Sequence, residues 1–434
     1  MLLKRASKTA VSILLIVTFI LSQLFTSLFA QTSEKDSLLI NSFKDYTQLQ
    51  RELVYTHLNK SVYIKGETLA FQAYVFDKSN KKLAQSTTNL YCSISDEQGK
   101  TIKSALVLVN EGVAHGSFYV DSLFTSGNYV FKAYTNWMKN FDEQNFYMQS
   151  IKVIDPEIES NVISKVISSK LDAQFLPEGG HLLADTQNTV GVVIKDERGF
   201  GIPNLECQLI CDDEEAISFK TNQFGIGKFS FVPDATKRYY VSTTFEGTEQ
   251  IFTIDSAELS GLTMALSDLH DKVVMRISTN KSTLRIIRNR TYKLTINNGS
   301  EMKSSHFNFT KDTEVTKYIN YDDLFSGINI FTVFDENNTP ILERLFFKYE
   351  GINLINTEEA TYEKSIDSIE VTIPFTDVIA NFPNHVSISV LPEATKSYNH
   401  DQNIISSVYL QPYVKGFIEN AKYYFTNISR RKKH

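Results

Sequence analysis

The sequence predicts an all-β chain of tandem β-sandwich domains, and three observations predict it. Apolar residues alternate with polar ones in short runs. Turn-rich pieces divide those runs at about ten-residue intervals, a spacing that favours sandwiches over alternating β and α units. Similar pieces also recur at multiples of a unit of roughly 100 residues. The length, 434 residues, leaves room for about three or four domains of roughly 100–150 residues. A hydrophobic content of 42% against 22% charged residues is that of a globular chain. Thirty Phe and 21 Tyr beside a single Trp suit half-buried strands.

The N-terminus follows a different rule. Lys4, Arg5 and Lys8 precede an apolar stretch from Ala10 to about Phe29, and Ala30 leads into polar "QTSEKDS". Residues 1–30 therefore have the layout of a secretory signal peptide. The stretch is long and Leu28 is larger than a cleavage site prefers, so an uncleaved anchor is the alternative. No Cys stands nearby to support a lipoprotein anchor, and no later stretch reaches the ~20 apolar residues of a membrane helix. Residues 31–51 are expected to be a lead-in helix or linker, with Leu38, Leu39, Phe43 and Leu49 at helical spacing.

The first sandwich is expected over 52–154. "LAFQAYVFD" places Leu69, Phe71, Ala73 and Val75 on one face and Tyr74 and Phe76 on the other. "LYCSIS", "ALVLV", "GSFYV" and "GNYVFKAYT" follow as strands, with "DKSNKK" and "DEQGK" as turns. Residues 155–170 read as a linker, 171–256 as a second sandwich and 257–350 as a third. Residues 351–434, with "HVSISVLPE" and "YLQPYVKGFIE", read as a fourth that is incomplete. "DSLFTSGNYVFKAY" (121–134) matches "DDLFSGINIFTVF" (322–334), their Ser-Gly pairs 200 residues apart. "HGSFYV" matches "IGKFSF", with Gly116 and Gly227 separated by 111. Gly before an alternating run is expected to permit a tight turn into a strand.

Charge narrows the partners. The whole chain carries a formal −6, and without residues 1–30 it holds 41 basic and 50 acidic side chains, a net −9. That balance argues against nucleic acid. The one basic cluster, "RRKKH" at 430–434, reads as a solvated tail. Cys207 and Cys211 in "ECQLIC" would stand roughly 13 Å apart along one strand, too far for a bridge. A link from Cys92 to either remains open, and buried, small apolar behaviour is the favoured reading of all three.

"Lys60-Ser-Val-Tyr63-Ile-Lys-Gly66-Glu67-Thr" before a strand resembles the start of the MG2 domain of the α2-macroglobulin family, with its Lys, Tyr and Gly-Glu at three-residue steps. "SDEQGK" and "SGNYVFKAYT" extend the resemblance over roughly 52–153. "AQFLPEGGHLLADTQNTVGVVIKDERGFGIPN", with Phe175, Pro177, Glu178, Gly179 and Gly180, and "FGIGKFSFVPDATKRYYV" resemble the following unit in a group of exported Gram-negative proteins. There the sandwiches are often followed by a TonB-receptor-like plug domain. "VKGFIENAKYYF" (414–425) resembles the point where longer relatives continue. The resemblance thus implies macroglobulin-like sandwiches and a shortened member, without a thioester region.

No catalytic, cofactor-binding or metal site is expected. Cys92, Cys207 and Cys211 all lack the Cys-Gly-Glu-Gln neighbourhood of a thioester, so covalent protease trapping is excluded for want of an acyl donor. No HExxH pair and no Gly-x-Ser-x-Gly elbow occurs. His270-Asp271 and His400-Asp401 are adjacent pairs read as solvated loop residues. Gly179 and Gly180 in "PEGGH" read as turn residues without the Lys-Ser/Thr of a phosphate loop. "DDEEA" (212–216) reads as a hairpin tip rather than a calcium site. Lys60 and Glu67 read as surface or pairing residues, and Val62 or Tyr63 as cover for the sandwich edge.

The expected function is that of a non-enzymatic exported scaffold or protein-interaction module at the periplasm or outer membrane. Its partners would be envelope or outer-membrane proteins, engaged by strand addition to sheet edges and linked to TonB-dependent transport or outer-membrane assembly. The alternatives are a non-covalent endopeptidase inhibitor, with a protease as partner, a carbohydrate-binding surface protein, or a remnant of a longer envelope protein.

Overall fold

Alternation with period two is realised as strands whose inward residues meet across two sheets. A computed structural model describes residues 34–143, 145–157, 170–212, 214–352, 354–378, 384–392, 394–395, 397–416 and 418–425. The signal-peptide reading, most of the 155–170 linker and the basic tail fall outside the described residues. The chain forms two units, residues 1–48 and 49–434. In the first, α1 spans Glu34–Gln48. No helix among the described residues is long and apolar enough to cross a membrane.

The second unit contains three sandwiches in a row. The first is built from β1 (Glu52–Leu58), β2 (Val62–Ile64), β3 (Thr68–Asp77), β4 (Asn89–Asp96), β5 (Thr101–Leu108), β6 (Val113–Tyr119), β7 (Gly127–Tyr134) and β8 (Tyr147–Ile154). Its sheets run β1-β3-β6 and β2-β8-β7-β4-β5. The second uses β9 (Leu171–Pro177), β10 (Asn188–Asp196), β11 (Glu206–Cys211), β12 (Glu214–Lys220), β13 (Ile226–Phe231), β14 (Tyr239–Phe245) and β15 (Thr248–Thr253). Its sheets run β9-β10-β13 and β12-β11-β14-β15. The third uses β16 (Thr263–Asp268), β17 (Lys272–Ser278), α2 (Lys281–Ile287), β18 (Thr291–Asn297), β19 (Met302–Asn308), β20 (Glu314–Asn320), β21 (Gly327–Phe334) and β22 (Pro340–Lys348). Its sheets run β16-β17-β20 and β19-β18-β21-β22. All three share one order, with a three-stranded sheet facing a longer one, and the first adds β2 parallel to β8. This is the all-β tandem architecture the sequence predicts.

Each sandwich has its own core. Val54, Phe71 and Phe118 meet Leu90, Ile94 and Phe131 in the first. Val190, Val192 and Phe229 meet Leu209 and Val241 in the second, and Val273, Met275 and Ile277 meet Leu294, Phe331 and Val333 in the third. The 200-residue repeat is structural: Phe131 on β7 and Phe331 on β21 are both fully buried. The corner before each strand is closed in the same way by different chemistry. Tyr129 OH accepts from Thr125 N and donates to Thr125 O, both at 3.0 Å. Asn329 accepts from Phe325 N at 2.9 Å and donates to Phe325 O at 2.8 Å.

Two readings need correction. Gly116 and Gly227 lie inside β6 and β13 rather than at turns. Their missing Cβ leaves room for rings: a Cβ on Gly116 would sit 2.6 Å from Phe71 Cζ, and one on Gly227 would be 3.3 Å from Phe219 Cδ2. Where the sequence suggested an incomplete fourth sandwich, the described residues form two separate two-stranded ladders. β23 (Asn356–Thr357) pairs with β26 (Phe375–Thr376), and β24 (Thr361–Lys364) pairs with β25 (Ile369–Thr372). Short helical turns follow, including α3 (Ile404–Tyr409). Two strands are too few to bury a sheet face.

Candidate interaction site

Residues 384–425 run across all three sandwiches, and they first meet His57 and Asn59 at the end of β1, then Ser61 in the Lys60–Glu67 segment that follows. That segment is a self-bonded turn. Gly66 takes φ +98° and Thr68 opens β3. Lys60 Nζ lies 2.5 Å from Glu67 Oε2, which also accepts from Ile64 N at 2.6 Å. Burial raises the Glu67 carboxyl, but Lys60 and the Ile64 amide outweigh it and hold it below its usual range. Tyr63 is fully buried, its hydroxyl donating to Lys60 O at 2.7 Å. The three-residue steps therefore set a buried ring, an ion pair and a left-handed glycine in one turn. Lys65 Nζ meets the buried Asp155 at 2.6 Å, and this bond holds the Asp155 carboxyl below its usual range.

The returning strap is pinned to this turn by side chains. Ser61 donates to Ser397 O from both its amide (2.6 Å) and its hydroxyl (2.9 Å), and its Oγ accepts from Asn399 N at 2.8 Å. His57 on β1 bonds Ser387 Oγ through Nδ1 at 2.8 Å and Tyr398 OH through Nε2 at 2.9 Å. Ser389 Oγ donates to Asn59 O. The strap then enters α3, closed by a capping box in which Asn403 and Ser406 bond reciprocally. Beyond it, Lys81 Nζ donates to Tyr413 OH at 2.6 Å. Burial, with Lys78 beside it, pushes the Lys81 ammonium down to about 7. Tyr409 packs on Gly327 and Tyr413 on Gly299 in the third sandwich. Glu419 accepts from Gly201 N at 2.8 Å, and Tyr423 meets Phe224 edge-on at 4.7 Å, both in the second. Phe425 closes against Phe347 at 5.3 Å.

The residues weighed for chemistry are dispersed. His270 and Asp271 sit in the exposed turn between β16 and β17. His400 departs from its expected place: it is buried, and neither ring nitrogen has a hydrogen-bond partner. Burial first, then His57 and Lys422, push it down to about 4. Asp401 beside it is raised by burial. The pair reads as loop in sequence because nothing local shows that the strap will press it onto β1. Cys92 and Cys207 are buried free thiols and Cys211 is half-buried and free. Asp212 and Glu214 flank the β11–β12 hairpin turn. No cluster of three or more metal-ligating side chains occurs among the described residues.

"PEGGH" is more than a turn. Gly179 and Gly180 take φ +92° and +93°, and Glu178 Oε1 accepts from Leu266 N (3.2 Å) and Arg344 Nε (2.9 Å) of the third sandwich. A Cβ on Gly179 would lie 2.9 Å from Met264 N. The motif is thus the joint between second and third sandwiches, which Asn280 reinforces by donating to Ala184 O at 3.1 Å.

Edges are the other feature of the site. β5 ends one sheet of the first sandwich, with Leu106 60% and Leu108 73% exposed. Across its outer face runs a row of rings, Tyr91–Tyr134 at 5.5 Å and Tyr134–Phe146 at 5.1 Å. Lys139 lies over Tyr134 at 4.6 Å and Lys132 over Phe146 at 4.4 Å.

No family model and no curated protein matches the chain. Among solved structures, Escherichia coli alpha-2-macroglobulin in its native conformation is similar at 12% identity over 74% of this chain and 25% of that one, with a TM-score of 0.21. Its elastase-activated form is similar at 12% identity over 75% and 33%, TM-score 0.26. Dimeric latent PorU from Porphyromonas gingivalis is similar at 10% identity over 68% and 34%, TM-score 0.30. The chain spans about a quarter to a third of these proteins. Superpositions at these scores say nothing of activity, and the fold rests on the strand order given above.

Proposed function

We propose that the chain is a non-enzymatic, macroglobulin-like scaffold of the cell envelope that binds protein partners by strand addition. The observation that carries the reading is β5: an edge strand that ends in two exposed leucines beside a lysine-flanked aromatic row. Main-chain groups at such an edge supply affinity, and alternate side chains supply specificity. Three separate cores, tied by the strap and by the Glu178 joint, display such edges. Export to the periplasm or outer membrane, and a link to transport or assembly complexes there, belong to the same proposal.

The test is crosslinking pull-down from envelope fractions with the wild-type chain and a Ser104→Pro variant, which removes an amide on the open edge of β5, Ser104 alternating with the β4-bonded Ala105. Partners retained by the first and lost by the second support the reading. Equal capture by both, or dose-dependent inhibition of endopeptidases by the purified chain, would overturn it.

A further inference from the structure

The strap contains an unpaired segment whose sequence is its own complement. Residues 386–390 form no regular element, but their side chains alternate in and out as in an extended chain, with Ser387 and Ser389 facing inward to His57 and Asn59. Val386, Ile388 and Val390 face outward, 46%, 63% and 86% exposed. Their peptide groups bond no other strand among the described residues. An exposed row of free N–H and C=O groups beneath β-branched side chains is a template for another strand, and left open it is a hazard.

The occupant follows from the order of the residues. Val386-Ser387-Ile388-Ser389-Val390 reads the same in both directions. Laid antiparallel on a second copy, Val386 meets Val390, Ser387 meets Ser389, and Ile388 meets itself on the two-fold axis. A two-fold interface requires this self-complementarity, since every patch must match itself. No charge lies within the stretch, so no like charges are opposed. Pro392, which has no N–H to give, ends the ladder just outside it, where it would face Asn384.

We propose that the chain dimerises through antiparallel pairing of residues 385–391 about Ile388, extending the strap into a two-stranded ribbon shared by two copies. This does not depend on partner binding at β5. The probe is the mass of the purified chain in solution by light scattering across a concentration series. The expected result is twice the monomer mass for wild type, falling to the monomer for Ile388→Glu, which opposes two carboxylates on the axis.

Two double variants test the register while removing the same apolar surface. Val386→Lys with Val390→Glu sets opposite charges across both outer pairs and should dimerise at least about tenfold more tightly than Val386→Glu with Val390→Glu, weakening as salt rises. Because these side chains point away from the fold, circular dichroism should match wild type in all variants, and so should melting at concentrations too low for the dimer to form. A monomeric wild type, a dimer indifferent to Ile388→Glu, equal affinities for the two double variants, or a foreign strand captured at this segment in place of the second copy would each overturn the proposal.

Discussion

The ring of His400 stands edge-on to that of Tyr398, centroids 4.5 Å apart and planes at 88°, while the Tyr398 hydroxyl bonds His57 at 2.9 Å. Two imidazoles thus share one tyrosine at the seam between strap and β1. Both are held below the usual histidine range by burial, His400 with added repulsion from His57 and Lys422.

That seam should be acid-sensitive. His400 binds fewer protons folded than unfolded, so its stabilising contribution is complete above about 6.5 and declines as pH falls towards about 4. The loss is on the order of 3 kcal/mol. Asp401, raised by burial, acts in the opposite sense: its contribution is present at low pH and lost as pH rises through its folded value. In a His400→Phe variant the acid-side decline in strap protection, followed by hydrogen exchange between pH 7 and 4, should flatten. An unchanged slope would show that another group drives it.

Ser61 concentrates three strap bonds on one side chain and its amide. Ser61→Ala removes the hydroxyl's two and should weaken strap closure by about 1–2 kcal/mol. Exchange at the Asn399 amide should quicken about tenfold, with β4 and β7 amides unaffected.

The two glycines of "PEGGH" share one backbone conformation but not one environment. Gly180 faces open space, whereas a Cβ on Gly179 meets Met264 N at 2.9 Å. Both alanine variants carry backbone strain of about 1 kcal/mol, and Gly179→Ala should cost at least about 1 kcal/mol more. Calorimetry should show the second and third sandwiches uncoupling in Gly179→Ala alone. Equal melting of the two variants would remove the joint role given to this turn.

Phe131 and Phe331 offer a test of domain independence. Each truncation to Ala should cost about 3–5 kcal/mol, and the double variant should approach the sum, because the two residues lie in separate cores. Denaturant melts of the single and double variants measure this directly.

What sequence conveys here is whatever repeats locally. Leu69, Phe71, Ala73 and Val75 alternate, and their burial follows from the pleat alone. The matched Ser-Gly segments name equivalent strands because one corner recurs, even with Tyr129 replaced by Asn329. Gly66 before Thr68 marks a turn because only a residue without Cβ takes that φ freely. The in-strand role of Gly116 was hidden, since the ring that fills its place belongs to Phe71.

The sequence by itself determined the strands of the three sandwiches, the repeat and the sandwich class, all set by periods of two residues and by turn chemistry. Only the tertiary structure decided where residues 384–425 go. Their bonds to His57, Asn59 and Ser61 join positions more than 300 residues apart, and no local pattern encodes such a pairing. The same long-range packing buries His400 and turns Glu178 into a joint. It also leaves Val386, Ile388 and Val390 facing out, because only their serine neighbours have anything within reach to bond.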